Sequence, residues 1–208
     1  MKIVCLIGIL LLPLKLTSQN NEKFNFSEGK FFAQPELYVL ATQIDGDQAS
    51  GYSKMGYHFG VSTGLGLSNN QSLSFQMALA ERGSRRSFNP DEPTINAFHI
   101  RYTSLDIGLL YGKAIQSIYL QGGIKGTYLL NISETEGYVP QIENDYKKIG
   151  FLFETRLNYE LSEHYWLSAT LQYSILSLLN TNVSQVNYLM GGGGAFHNVL
   201  GVGLIWKP

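Results

Sequence analysis

Between Ile149 and Ile175 the chain writes one pattern twice with a tight turn between. Ile149, Phe151, Phe153, Leu157, Tyr159 and Leu161 occupy every second place, broken only by Thr155, and Gly150, Leu152, Glu154, Arg156, Asn158 and Glu160 lie between them. After Ser162 and Glu163 the alternation resumes, with Tyr165, Leu167, Ala169, Leu171, Tyr173 and Ile175 set against His164, Trp166, Ser168, Thr170, Gln172 and Ser174. A period of two over this length specifies a β-strand, because successive side chains leave opposite faces of the pleat. Two such strands joined by a few residues form an antiparallel hairpin. Each has about ten residues, the length a tilted strand needs to cross a hydrocarbon layer.

The same alternation recurs along most of the chain. It predicts strands over roughly 33–42, 55–67, 73–80, 97–112, 118–130, 149–161, 165–175 and 196–206, and the first has the weakest pattern. Asn69 and Asn70 tolerate the positive φ of a tight hairpin turn. The stretches 44–54, 81–96, 131–145 and 178–195 read as long loops from their Gly, Pro, Asn and Asp content, the last holding Gly191 to Gly194. Long connections therefore follow the odd strands and short ones the even strands. All long loops then fall at one end, and the expected fold is all-β, an eight-stranded antiparallel up-and-down transmembrane β-barrel.

Alternation alone leaves open which face points inward, and a soluble lipocalin-like barrel with an apolar cavity is the competing arrangement. Three features favour the membrane form. Only 15% of the residues are charged, whereas a soluble exterior carries many Lys and Glu residues. The charges on the polar face, Asp106, Lys125, Glu154 and Arg156, sit near mid-strand with both signs present, as a paired polar network in a narrow lumen requires. Tyr57, Tyr111, Tyr128, Tyr159, Tyr165 and Trp206 fall near strand ends, where aromatic girdles meet headgroups. A net charge of -1 without a basic cluster argues against nucleic acid as a partner.

The first residues read as a secretory signal: Lys2, an apolar run from Ile3 to Leu14, and a small residue at Ser18. The expected organisation is a signal peptide over 1–18, a periplasmic lead-in over 19–32 and the barrel over 33–208. Cys5, the single cysteine, leaves with the signal, so no disulfide or thiolate metal site is expected.

Leu105-Asp106-Ile107-Gly108-Leu109-Leu110, Tyr119-Leu120-Gln121-Gly122-Gly123, Gly126-Thr127-Tyr128-Leu129-Leu130, the run from Gly150 to Leu176 and the closing Val199-Leu200-Gly201-Val202-Gly203-Leu204 resemble the PorT-like outer-membrane β-barrel proteins of Bacteroidota. The resemblance covers nearly all of the mature chain through loose alternation motifs. It implies an eight-stranded barrel of the OmpX and OmpA kind with both termini in the periplasm, a bacterial outer-membrane location and, for most members, no assigned activity. One departure is that Lys207 and Pro208 follow Trp206, where such chains usually end on an aromatic residue.

Some small outer-membrane barrels modify lipid A or phospholipids with a His and a Ser two places apart on one strand, the imidazole acting as base for the hydroxyl. Here the four histidines are followed two places on by Gly60, Arg101, Trp166 and Val199, and no catalytic residue is assigned. Glu154, Arg156, Lys125 and Asp106 form either a proton or ion path or, as an interior only wide enough for side chains favours, a plug. Arg82, Arg85 and Arg86 have the fork that matches phosphate and are candidate lipopolysaccharide contacts; a solvated loop balanced by Asp91 and Glu92 is the plainer alternative. Asp45 and Asp47 begin a calcium-loop pattern that no ligand set completes, so neither metal nor cofactor is expected. The resulting expectation is a monomeric, non-enzymatic outer-membrane barrel whose four long loops contact an envelope or extracellular partner. A lipid-modifying enzyme and an accessory component of a PorT-type secretion apparatus stand as its alternatives.

Overall fold

The computed structural model describes residues 28–45, 51–87, 97–115, 117–136, 139–140, 146–179 and 195–208. The expected signal peptide, most of the lead-in and the glycine run near Gly191 lie outside the described residues. The strands are β1 (Phe31–Asp45), β2 (Lys54–Leu67), β3 (Gln71–Arg86), β4 (Phe98–Ile115), β5 (Ile118–Glu136), β6 (Val139–Pro140), β7 (Ile149–Ser162), β8 (Tyr165–Ser174) and β9 (Phe196–Trp206). Each long strand pairs antiparallel with its neighbours in chain order, and β1 closes on β9 from Glu36 opposite Ile205 to Asp45 opposite Phe196. The two-residue β6 only extends the β5 edge at the loop end. The result is a closed eight-stranded barrel, which removes the open strand edges that lipid could not hydrogen-bond.

Chain chemistry explains the closure. Asn69 and Asn70 both adopt left-handed conformations, φ 60° and 57°, and turn β2 into β3. A register shift at Thr103/Ser104 against β5 marks a β-bulge, above which the inward parity of β5 changes. Outward positions are apolar all round: Leu37 and Val39 on β1, Phe59 on β2, Phe75 and Met77 on β3, Leu109 on β4, Ile124 on β5, Phe153 on β7, Leu171 on β8 and Val202 on β9 are all exposed. That wall belongs in hydrocarbon, and it excludes the soluble lipocalin-like arrangement.

Several strand ends differ from the sequence reading: β1 spans Phe31–Asp45 rather than 33–42, β4 reaches Ile115, and two differences are larger. The third strand does not stop at Ala80 but runs to Arg86, paired with β4 as far as Phe98, and β5 runs six residues past Leu130. These extensions lack the apolar alternation because they stand beyond the hydrocarbon, where the outward face meets water or headgroups.

The lumen holds two apolar clusters and a polar network. Tyr38, Leu40, Ala114, Tyr119, Trp166, Val199 and Ile205 form one cluster, which Ala114, Tyr119, Trp166 and Ile205 carry to the turn end. At the loop end Ile44, Ile100 and Ala195 form another, with Phe98, Ile132, Leu178 and Leu179 packed against it. Buried polar side chains fill the rest. Glycines make room for the largest rings: a Cβ on Gly203 would lie 2.5 Å from the Tyr38 ring, and one on Gly112 2.3 Å from the Tyr119 hydroxyl.

Candidate functional site

Period-two geometry on eight strands aims one polar residue after another at the barrel axis. Glu36 of β1, Arg82 and Gln76 of β3, Asp106 of β4, Lys125 of β5, Glu154 and Arg156 of β7 and Gln172 of β8 are all buried there. Arg156 is the hub. Its two terminal nitrogens reach Glu36 Oε2 at 2.7 Å and Oε1 at 3.2 Å, its Nε donates to Glu154 Oε1 at 3.0 Å, and its guanidinium lies 5.2 Å from the Tyr38 ring centroid. Glu154 Oε1 also accepts from Thr170 and Gln172, both at 2.9 Å, and its Oε2 is 3.0 Å from Lys125 Nζ. Lys125 Nζ lies 3.9 Å from Asp106, whose carboxylate takes Arg82 at 2.5 and 3.3 Å. Arg82 closes the circuit on Gln172 Oε1 at 2.8 Å. Glu36 further accepts from Ser62 at 3.0 Å, contacts His58 Nε2 at 2.8 Å and accepts from Gln76.

Three carboxylates, Glu36, Asp106 and Glu154, thus face three cations, Arg82, Lys125 and Arg156. A buried charge survives in a low-dielectric interior only with such partners. The structure brings together Asp106, Lys125, Glu154 and Arg156, the four residues singled out from the sequence, and joins them through Arg82 and Glu36. Arg82 is a correction to the sequence reading: it sits inside β3 with its side chain buried on Asp106, where no lipopolysaccharide phosphate reaches it. Glu81-Arg82-Gly83-Ser84 offers no apolar residue to signal that the strand continues. Arg85 is exposed at the loop-side rim and Arg86 half-buried beside it. Glu36 escapes the sequence reading behind Pro35 in the weakest strand, although it shares inward parity with Tyr38, Leu40 and Thr42.

Interior histidines are spent on structure. His58 lies on Glu36, and His197 Nδ1 is 2.6 Å from the Tyr102 hydroxyl, their rings 4.5 Å apart. His164 lies at a turn, near the Lys207 carbonyl at 3.2 Å. His99 projects outward at the loop end, where its pairing partner on β5 is Thr135 and on β3 Arg85. Among the described residues no histidine ring nitrogen is hydrogen-bonded to a serine or threonine hydroxyl. Near the loop-side mouth a cavity of about 20 Å³, lined in part by Tyr102, Ser104, Ser174 and His197, has room for about one water. Asp45 accepts from Gln43 at 2.5 Å and from Asn198 at 3.4 Å, while Asp47 lies outside the described residues. Outside the hydrocarbon, partial burial and the Asp45 charge push the Tyr52 phenol above its ordinary value, and its hydroxyl donates to Asn198 at 2.7 Å.

A family model described as outer membrane protein beta-barrel domain matches residues 17–181. No curated protein matches the sequence. Among solved structures the chain is similar to Neisserial surface protein A, with 15% identity over 86% of this chain and 97% of that one and a TM-score of 0.52. It is also similar to Ail, the attachment invasion locus protein of Yersinia pestis, with 13% identity over 88% of this chain and 100% of that one and a TM-score of 0.51. At these identities the likeness is one of fold.

Proposed function

The chain belongs to the outer membrane protein beta-barrel domain family, and from that premise we propose that its barrel is a non-enzymatic anchor which displays four long loops to an envelope or extracellular partner. The protein is an outer-membrane β-barrel. What carries the further reading is the lumen: an ion-paired network whose three cations and three carboxylates are spent on one another, packed beside two apolar clusters. An interior packed this way serves stability, and leaves the outer surface as the place for function. The apolar wall is exposed on every long strand, which supports a monomer ringed by lipid. Within the family we assign the chain to the PorT-like proteins of Bacteroidota on its alternation motifs from Leu105 to Leu130, Gly150 to Leu176 and Val199 to Leu204.

Purified protein, run on a denaturing gel with and without boiling, should migrate differently in the two lanes, as a closed barrel resists detergent until heated. The same preparation reconstituted in planar bilayers should show no steady channel conductance, and with lipid A no released fatty acid. Conductance, or a deacylation lost on replacing one histidine, would overturn the anchor reading. Co-purification with secretion-machine subunits would favour the accessory role instead.

A further inference from the structure

The loop-side rim of the barrel is electrically lopsided. On the β3, β4 and β5 side the strands continue past the apolar band, and their outward positions change character. Arg85 stands opposite His99, which stands opposite Thr135; one row nearer the membrane Arg101 stands opposite Ser133. Across β5, Lys147 and Lys148 immediately precede Ile149, the first outward apolar residue of β7. Arg85, His99, Arg101 and Lys148 are exposed and Lys147 half-buried. Arg85, His99, Lys147 and Lys148 have no side-chain partner among the described residues. Arg101 touches Glu81 at 3.0 Å, a carboxylate already held by Lys54 at 2.8 Å, and Glu134 on β5 accepts from the Tyr146 hydroxyl at 3.0 Å, so Arg85, Arg101, Lys147 and Lys148 still outnumber the carboxylates beside them. Around the remaining rim, from β8 through β9 and β1 to β2, the described residues include Asp45, Tyr52, Ser177 and Asn198, and the one cation, Lys54, is buried against Glu81.

We propose that this flank, formed by Arg85, His99 and Arg101 with Lys147 and Lys148, binds the phosphate groups of lipid A in the outer leaflet. It rests on the reading that the long-loop end faces outward. Charge complementarity and height select the occupant. Cations that lie one to three rows beyond the last outward apolar side chains meet a headgroup while the acyl chains lie on Phe151, Leu130 and Leu105 below them. Arg85 and Lys147 are three strand spacings apart, about 14 Å across the strands, and the register sets Lys147 beside Leu130, below the Thr135 level of Arg85, so the flank runs diagonally and spans a headgroup with more than one anionic group. Guanidinium forks suit phosphate oxygens, and Ser133 and Thr135 add hydroxyl donors between them. Arg85 is retained from the sequence reading, Arg82 is replaced by His99, Arg101 and Lys147, whose outward places only the strand register reveals, with Lys148 exposed at the mouth beside them, and Arg86 is not needed.

The test uses the full mature chain in phosphatidylcholine nanodiscs doped with phosphorylated lipid A, with dephosphorylated lipid A, or with phosphatidylglycerol, and counts by mass spectrometry the lipid retained per barrel after extraction. Wild-type protein should retain phosphorylated lipid A over both alternatives, and the variant Arg85→Gln/Arg101→Gln/Lys147→Gln/Lys148→Gln should lose at least about tenfold of that preference. Lys113→Gln, on an exposed turn-end position of β4, should change nothing. Equal retention of the two lipid A forms, equal retention of phosphatidylglycerol, or an unaffected quadruple variant would overturn the assignment. The boiling shift, read on the same samples, separates loss of lipid binding from loss of the barrel. Should the quadruple variant lose that shift, the single changes Arg85→Gln and Lys148→Gln, at exposed positions that hold nothing in place, carry the test.

Discussion

Phe153 and Glu154 are neighbours in the chain and live in different solvents. Phe153 faces hydrocarbon at the middle of β7, where any apolar group of similar size meets the same lipid. Glu154 faces a lumen in which it has Arg156, Lys125, Thr170 and Gln172 as individual partners. One face is specified by composition and the other by identity. Substitutions should therefore be tolerated on the outside so long as they stay apolar, and on the inside only where the network can be rebalanced.

The largest effect should come from the hub. Arg156→Ala leaves Glu36 and Glu154 buried without their shared counter-charge, a loss on the order of 3–5 kcal/mol, read as a lower urea midpoint for reinsertion into detergent micelles. Replacing the charges in step, as in Arg156→Met with Glu36→Gln and Glu154→Gln, should recover a large part of it. If the single and the triple variants were equally unstable, the lumen would be acting through shape rather than charge.

Leu109, 56% exposed at the centre of β4, is the matching probe of the outer face. Leu109→Arg puts a cation into the hydrocarbon midplane and should cost about 2–4 kcal/mol, while Leu109→Phe should cost little. A Leu109→Arg protein as stable as wild type would contradict the membrane assignment of this face.

Much of this contrast is legible in the sequence. The period-two pattern from Ile149 to Ile175 specifies the hairpin, the alternation of long and short connections puts the long loops at one end, and the mid-strand charges supply four of the six members of the ion network. What stays hidden there has physical reasons. The first strand looks weak because its lumen face is apolar at mid-strand: Tyr38 and Leu40 point inward while Leu37 and Val39 point outward, so polarity no longer alternates there. Arg82 reads as a loop residue because a strand that rises out of the membrane needs no apolar outward face. The rim cluster is invisible because His99, Arg101 and Arg85 meet through pairing between strands, which sequence spacing does not encode.

Glycine marks where the inner face is filled to contact. Gly203→Ala would drive its methyl to 2.5 Å from the Tyr38 ring and 2.3 Å from the Leu37 carbonyl oxygen, and should cost about 1–3 kcal/mol. Gly126, which has only the Ile107 carbonyl oxygen and the Phe151 ring near it, at 3.9 and 4.0 Å, should accept Ala with a smaller change by the same measurement.

The finest probe of the comparison is a single hydroxyl on each face. Tyr38 is 1% exposed; its hydroxyl donates to Ser168 Oγ at 2.9 Å, and its ring meets His58 edge-on at 5.4 Å. Tyr38→Phe keeps the ring and its packing against Gly203 but takes one partner from a buried serine, so the expected loss is about 0.5–1.5 kcal/mol. Tyr111 is 48% exposed on the outer face near the turn end, where its hydroxyl reaches interfacial water whether or not the barrel is folded. Tyr111→Phe should therefore shift the urea midpoint by less than about 0.5 kcal/mol. Equal effects at the two positions would mean that water reaches the lumen at Tyr38, and that the inner face is solvated rather than packed.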